Sequence, residues 1–270
     1  MAGLARNIPI LYFHDISPAG PHTPEWFEEQ LDVVEELGFT TVSARHVLDI
    51  CRGDKPLDKK YLALSFDDGH VSNWLYAAPA LSRRNMTGVF FALSDFTDEG
   101  EARDREGGAA CLPLSESLHQ AFASGDHSQF MNRSELSSLV HDLGMEVYSH
   151  TARHQPCFRG LAPLPPDAKR YWGCPAIYGQ DSPELPQFQW DSAYAYNGFW
   201  PHWDGQGRMD CISRSDEERY QFCLEDFSRS LAFMRELNGQ EEQLFCWPWG
   251  HFDDLSTKAL KQAGYACAFT

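Results

Sequence analysis

Short apolar runs alternate with amphipathic stretches along most of this 270-residue chain. Residues 8–13, 61–66, 88–93, 146–149, 244–247 and 265–269 are apolar segments of strand length. Helical spacing fills much of the sequence between them. Thr23-Pro24-Glu25 supplies an N-cap, a first-turn proline and a first-turn acid, and Phe27, Leu31 and Val34 keep one face apolar until Gly38. A further helix is predicted ahead of residue 88, bounded or interrupted by Pro79. Ser215 and Glu218 read as a capping box before an apolar stripe of Tyr220, Leu224, Phe227, Leu231 and Met234, and residues 256–263 form a last helix that Gly264 ends. Strand followed by helix, repeated, predicts an α/β fold with a mainly parallel sheet.

Two stretches break the rhythm. Residues 97–126 are polar and Gly-rich, and residues 156–210 are long, Pro-rich and dense in aromatic rings between Tyr171 and Trp203. With no repeat of fixed period and no low-complexity linker, both read as excursions from one domain spanning residues 1–270.

Charge and cysteine usage narrow the function classes. Asp plus Glu number 39 against 22 for Lys plus Arg, a net charge of -17 that repels phosphate backbones and anionic lipids, so no nucleic-acid partner is expected. No apolar run approaches the ~20 residues that span a bilayer. The eight cysteines lie far apart without a C-x-x-C pair, which predicts reduced thiols rather than a zinc knuckle or a disulfide framework. With no basic and apolar leader at the start, a cytoplasmic location is the expectation.

Three motifs close predicted strands. Leu64-Ser65-Phe66-Asp67-Asp68-Gly69-His70 delivers two adjacent carboxylates into a Gly-containing turn. Asp-Asp-Gly is also a common turn signature, but two neighbouring carboxylates repel each other, and a bound cation relieves that repulsion. His150-Thr151-Ala152-Arg153-His154 places two imidazoles on one face if the turn is helical, a grip suited to a divalent transition metal. Cys246-Trp247-Pro248-Trp249-Gly250-His251 offers rigid apolar walls for a sugar face and backbone N–H groups for an oxyanion, or simply core packing. Strand C-termini are where α/β barrels and open sheets build their sites.

These motifs resemble those of the polysaccharide deacetylase family, the NodB-like or family 4 carbohydrate esterases. There a T-F-D-D-G motif supplies base then metal ligand, and H-[ST]-x-x-H supplies two more ligands; Ser65 to Gly69 and His150 to His154 match in order. Ile10 to Asp15 resembles the branch containing the biofilm poly-N-acetylglucosamine deacetylases. The resemblance implies a distorted, seven-stranded (β/α) barrel that hydrolyses the acetamide of an N-acetylated sugar. It implies a divalent metal, zinc with cobalt or nickel as substitutes, held by Asp68, His150 and His154. Asp67 would be the base and His14 the general acid, with His70 and His251 as rivals for that role. Trp247, Pro248 and Trp249 would bind substrate, with the Trp249 N–H at the oxyanion. Most insertion rings would be core, and one or two of Tyr194, Tyr196, Trp200 and Trp203 would join the sugar site.

The sequence also departs from the family. Members outside that branch carry a base-orienting arginine two residues before the third motif's proline, where this chain has Cys246, so the base must be oriented differently. The family adds a further strand beyond the position of Thr270. Other readings stay open: a non-sugar amide as substrate, a non-catalytic carbohydrate-binding protein, or the two-His, one-carboxylate site of a non-haem iron oxygenase. The oxygenase order, H-x-D followed by a distant His on a β-barrel, is not the order here. Oligomeric state is not legible.

Overall fold

The computed structural model describes residues 7–105, 110–165, 167–181, 183–206 and 208–270. Both excursions contain positions outside that set, residues 106–109 in the first and 166, 182 and 207 in the second. In chain order the first half comprises β1 (Ile10–Phe13), α1 (Pro24–Glu36), β2 (Thr40–Thr41), α2 (Ala44–Arg52), β3 (Tyr61–Phe66), α3 (Ala78–Arg83), β4 (Val89–Ala92), α4 (Leu114–Ser124), α5 (Arg133–His141) and β5 (Glu146–Ser149). Then come β6 (Pro156–Pro163), α6 (Cys174–Tyr178), β7 (Phe188–Ser192), β8 (Phe199–Trp203), β9 (Met209–Ser213), α7 (Asp216–Asn238), β10 (Leu244–Cys246), α8 (Asp254–Ala263) and β11 (Cys267–Phe269).

The main sheet runs β1-β3-β4-β5-β10-β11, every pairing parallel, with the short β2 beside the start of β3. The edge strands β1 and β11 are not paired to each other among the described residues, so the barrel is distorted and open. Alternation explains its two faces. Leu62, Leu64, Phe66, Phe90, Ala92 and Val147 point to one side and pack with Phe27, Leu31 and Val34 of α1 and with α3 and α5. Val89, Phe91, Tyr148, Leu244 and Cys246 point to the other, where Ala44 and Leu48 of α2 join them. Both faces are covered, which is why β3 reads as a continuous apolar run. Each fully buried Leu or Phe contributes about 1.5–3 kcal/mol.

Helix boundaries follow their caps. Thr23 accepts from the Trp26 N–H to start α1, Ser215 and Glu218 form a reciprocal capping box for α7, and Gly264 ends α8 in the left-handed conformation. The segment ahead of β4 is a π-helix over Asn73–Ala77 that runs into α3, with Pro79 in the first turn of α3. Residues 97–126 include α4. The long insertion is ordered: β7-β6-β8-β9 form a separate four-stranded antiparallel sheet with α6 packed on it. Its core is Phe158, Tyr171, Cys174, Ile177, Tyr178 and Phe188, so many of the insertion's rings build a satellite core. No described helix is long and apolar enough to cross a membrane.

Candidate active site

Four strands of the main sheet deliver chemistry at their C-terminal ends: His14 follows β1, Asp67 and Asp68 follow β3, His150 follows β5, and Cys246 closes β10. They line one cavity of about 820 Å³, together with Ser65, His154, Trp172, Trp249 and His251.

The turn after β3 needs unusual backbone. Asp68 and Gly69 both have positive φ, 68° and 69°, a region that Asp tolerates better than most residues and Gly adopts freely. At Gly69 an added Cβ would lie 3.2 Å from the Ala92 Cβ, so the close approach to β4 also favours glycine. This turn points Asp68 Oδ1 at His150 Nε2, 3.5 Å away, and His154 Nε2, 3.3 Å away.

The two imidazoles are not placed by a helix. Thr151 and His154 have φ of 79° and 50°, so the histidine segment is a tight non-helical loop, contrary to the helical turn that the four-residue spacing would use. For a β-branched residue such a φ costs on the order of 1–3 kcal/mol and persists only where the surroundings impose it. Those surroundings are specific. Asp226 of α7, fully buried, accepts from the Ala152 N–H at 2.9 Å, from Arg153 Nε at 3.1 Å and from the Tyr194 hydroxyl at 3.2 Å. The Thr151 hydroxyl accepts from the His154 N–H at 2.9 Å, and Ser94 and Asp95 donate their N–H groups to Thr151 O and Ala152 O.

Several features fit this group to a cation. Asp68 Oδ1 is buried without a hydrogen-bond partner, though it faces two ring nitrogens. His150 Nδ1 lies 3.0 Å from the Cys246 carbonyl, which fixes the tautomer that turns the Nε2 lone pair inward. Burial holds both imidazoles neutral, His150 pushed down to about 3 and His154 well below its usual value. Burial, with Asp15 adding to it, raises Asp68 to about 7. Two neutral imidazoles and a carboxylate destabilised by burial form a donor set that a divalent ion would complete.

Asp67 stands beside this group. Ser65 Oγ donates to its Oδ1 at 3.0 Å and the Cys246 thiol donates to its Oδ2 at 3.7 Å, so a hydroxyl and a thiol orient the carboxylate, in keeping with the expectation that cysteine at position 246 demands a different arrangement from an arginine. Burial raises it to about 6; Asp68 adds to that rise, and the charge of His14 opposes it. His14 lines the same cavity as His150 and His154. The two rival histidines are placed differently. His70 is fully buried off the cavity, its ring nitrogens 2.8 and 3.0 Å from the Ser72 and Ser117 hydroxyls. His251 lines the cavity with Nδ1 2.6 Å from Asp191 Oδ1.

The aromatic wall is only partly the one expected. Trp249 lies with its ring centroid 4.2 Å from that of His154, and Trp172 of the insertion faces both, 6.1 Å from His154 and 6.3 Å from Trp249. Trp247 reaches the cavity but is buried against Phe227, Phe245 and Phe252, and Pro248 is buried outside the cavity lining. Tyr194, Tyr196, Trp200 and Trp203 do not line the cavity; Tyr194 is a strut for the histidine loop. Spacing gave no means of finding Trp172 or Asp226, because both reach the site through folding of distant segments.

The polysaccharide deacetylase profile matches residues 54–268, which include the carboxylate pair and both histidines. The chain belongs to the polysaccharide deacetylase family. It is 20% identical over 252 residues to the poly-beta-1,6-N-acetyl-D-glucosamine N-deacetylase of Escherichia coli K12, covering 90% of this chain and 30% of that protein. It therefore spans about a third of that relative's length. Among solved structures it is similar to a de-N-acetylase from Aggregatibacter actinomycetemcomitans (TM-score 0.64, 19% identity, 97% of this chain and 87% of that one). It is also similar to the BpsB deacetylase domain from Bordetella bronchiseptica (TM-score 0.65, 17% identity, 97% and 88%). At these identities the structural likeness establishes the fold, a distorted (β/α) barrel.

Proposed function

We propose that this family member hydrolyses the acetamide of an N-acetylated sugar within an uncharged glycan, releasing acetate and a free amine. The observation that carries the reading is the convergence of Asp68, His150 and His154 on one point, with Asp67 beside them in the same cavity. The E. coli relative's name specifies N-deacetylation of poly-β-1,6-N-acetylglucosamine, which supports the same reaction class here. Among the described residues no lysine or arginine lines the cavity, so no permanently charged side chain there is free to pair with a phosphate or carboxylate on the substrate. That favours a neutral glycan over a nucleotide-linked precursor. The Trp172 and Trp249 rings offer apolar faces for a sugar ring.

Asp68, His150 and His154 would hold a divalent metal, with zinc favoured by the two-imidazole, one-carboxylate set and cobalt or nickel as substitutes. When bound, such an ion polarises a carbonyl and acidifies water. Asp67, fixed by Ser65 and Cys246, takes a proton from the attacking water. His14 delivers a proton to the departing nitrogen, and Trp249 covers the site beside His154. The test is acetate release by metal-reconstituted protein from β-1,6-linked N-acetylglucosamine oligomers and from nucleotide- and lipid-linked N-acetyl sugars. Release from the neutral oligomers supports the proposal; release only from charged precursors, or from none of these, refutes it.

A further inference from the structure

His150 belongs to two sets of donors. Besides the Asp68, His150 and His154 group, ligand atoms of Asp67, His150 and Cys246 all lie within 4.8 Å of one another, and all three residues are buried. Cys246 Sγ is 3.7 Å from Asp67 Oδ2, and both residues line the cavity. The two sets differ in chemistry: imidazole and carboxylate suit borderline ions, whereas sulfur favours softer, thiophilic ones. They also exclude each other. His150 Nδ1 is committed to the Cys246 carbonyl at 3.0 Å, so Nε2 is the nitrogen available to either set, and one lone pair binds one ion.

We propose that Asp67, His150 and Cys246 form an alternative, inhibitory site for thiophilic divalent ions, with Cd²⁺ as the probe, whose filling displaces the ion held by Asp68, His150 and His154. On binding, the Cys246 S–H bond breaks, its proton leaves to solvent, and the sulfur lone pair forms the bond to the ion; no electrons are transferred. One event then occupies the general base and withdraws a ligand from the other set. Cysteine at this position thus makes the centre sensitive to soft metals in a way that an oxygen or nitrogen side chain there would not. The inference rests on the metal centre proposed above but not on which amide is cleaved.

The experiment titrates Cd²⁺ into Co²⁺-loaded protein, following the ultraviolet thiolate-to-Cd²⁺ absorption, the visible Co²⁺ bands and the Co²⁺ released. One equivalent of Cd²⁺ should raise the thiolate absorption while the Co²⁺ bands disappear. Cys246→Ser should lose that absorption and bind Cd²⁺ at least about tenfold more weakly, the lower end of what loss of a metal-site partner costs. Circular dichroism establishes that each variant is folded. A second variant separates the sets: His154→Ala retains Asp67, His150 and Cys246, so it should keep the absorption, whereas His150→Ala should lose it. Release of Co²⁺ without thiolate absorption would overturn the proposal, since Cd²⁺ would then have taken the Asp68 set. Undiminished absorption in Cys246→Ser would also overturn it by assigning the sulfur to another cysteine. None of these readouts requires deacetylation, so failure of the functional reading leaves them interpretable.

Discussion

Asp226→Asn probes how the histidine loop is held. The native carboxylate accepts three hydrogen bonds, from the Ala152 N–H, Arg153 Nε and the Tyr194 hydroxyl. An amide keeps one acceptor oxygen and turns an NH₂ group toward donors, so at least one bond is lost and the Arg153 charge loses its buried partner. A neutral bond is worth about 0.5–1.5 kcal/mol and a charged one about 1.5–3 kcal/mol, which sums to a loss on the order of 2–4 kcal/mol. At about 2–4 °C per kcal/mol for a large domain, the metal-free Tm should fall by roughly 4–16 °C. The loop strain gives the loss a specific consequence. Thr151 and His154 hold left-handed conformations, and without Asp226 the loop relaxes and separates the His150 and His154 nitrogens from Asp68 Oδ1. Affinity for Zn²⁺ or Co²⁺ should then fall about 10–100-fold, or roughly 1.4–2.7 kcal/mol. Competition with a chromophoric chelator measures the affinity, and scanning calorimetry of the metal-free protein measures the stability. A variant that loses stability yet binds metal with wild-type affinity would refute the reasoning, because the loop would then keep its shape without this carboxylate.

Asp67→Asn should retain metal, by elemental analysis, and lose turnover, whereas Asp68→Ala should lose both. His14→Ala should cut kcat by about 10²–10⁴-fold, the contribution of a positioned acid, with metal content unchanged. Trp172→Ala should raise KM most for longer glycans and leave kcat on short ones largely intact, as initial rates across an oligomer series will show. Metal affinity should fall about tenfold per pH unit below about 7, because Asp68 must release a proton while His150, near 3, has none to release. Calorimetry in buffers of different ionisation heat counts that proton. The metal-free protein has opposing terms: the raised Asp67 and Asp68 carboxyls lend stability at low pH that is lost as pH rises through about 6 and 7, while the depressed histidines lend stability above 6.5 that is lost as pH falls towards 3. Metal-dependent stabilisation, read as the Tm difference with and without Zn²⁺, should therefore shrink as the solution is acidified.

The strands and caps were legible because local chemistry specifies them. Tyr61–Phe66 and Glu146–Ser149 are apolar runs buried by parallel neighbours, and Thr23, Ser215 and Gly264 bound helices through hydrogen bonds or φ angles that only a few residue types provide. The carboxylate pair and the two histidines were legible as motifs at strand ends. Their geometry was not: four-residue spacing points to a helical turn, while the structure uses a strained loop whose shape is imposed by Asp226, 72 positions beyond His154 in the sequence. The same holds for what orients the base and walls the cavity. Ser65 bonds Asp67 from two residues away, but Cys246 and Trp172 act through contacts between segments distant in the chain, and composition carries no record of which of the insertion's rings turns toward the metal centre and which enter its own core. Local propensity chose the elements; tertiary packing between segments distant in the chain, α7 against the histidine loop and β10 beside β5, decided which side chains met.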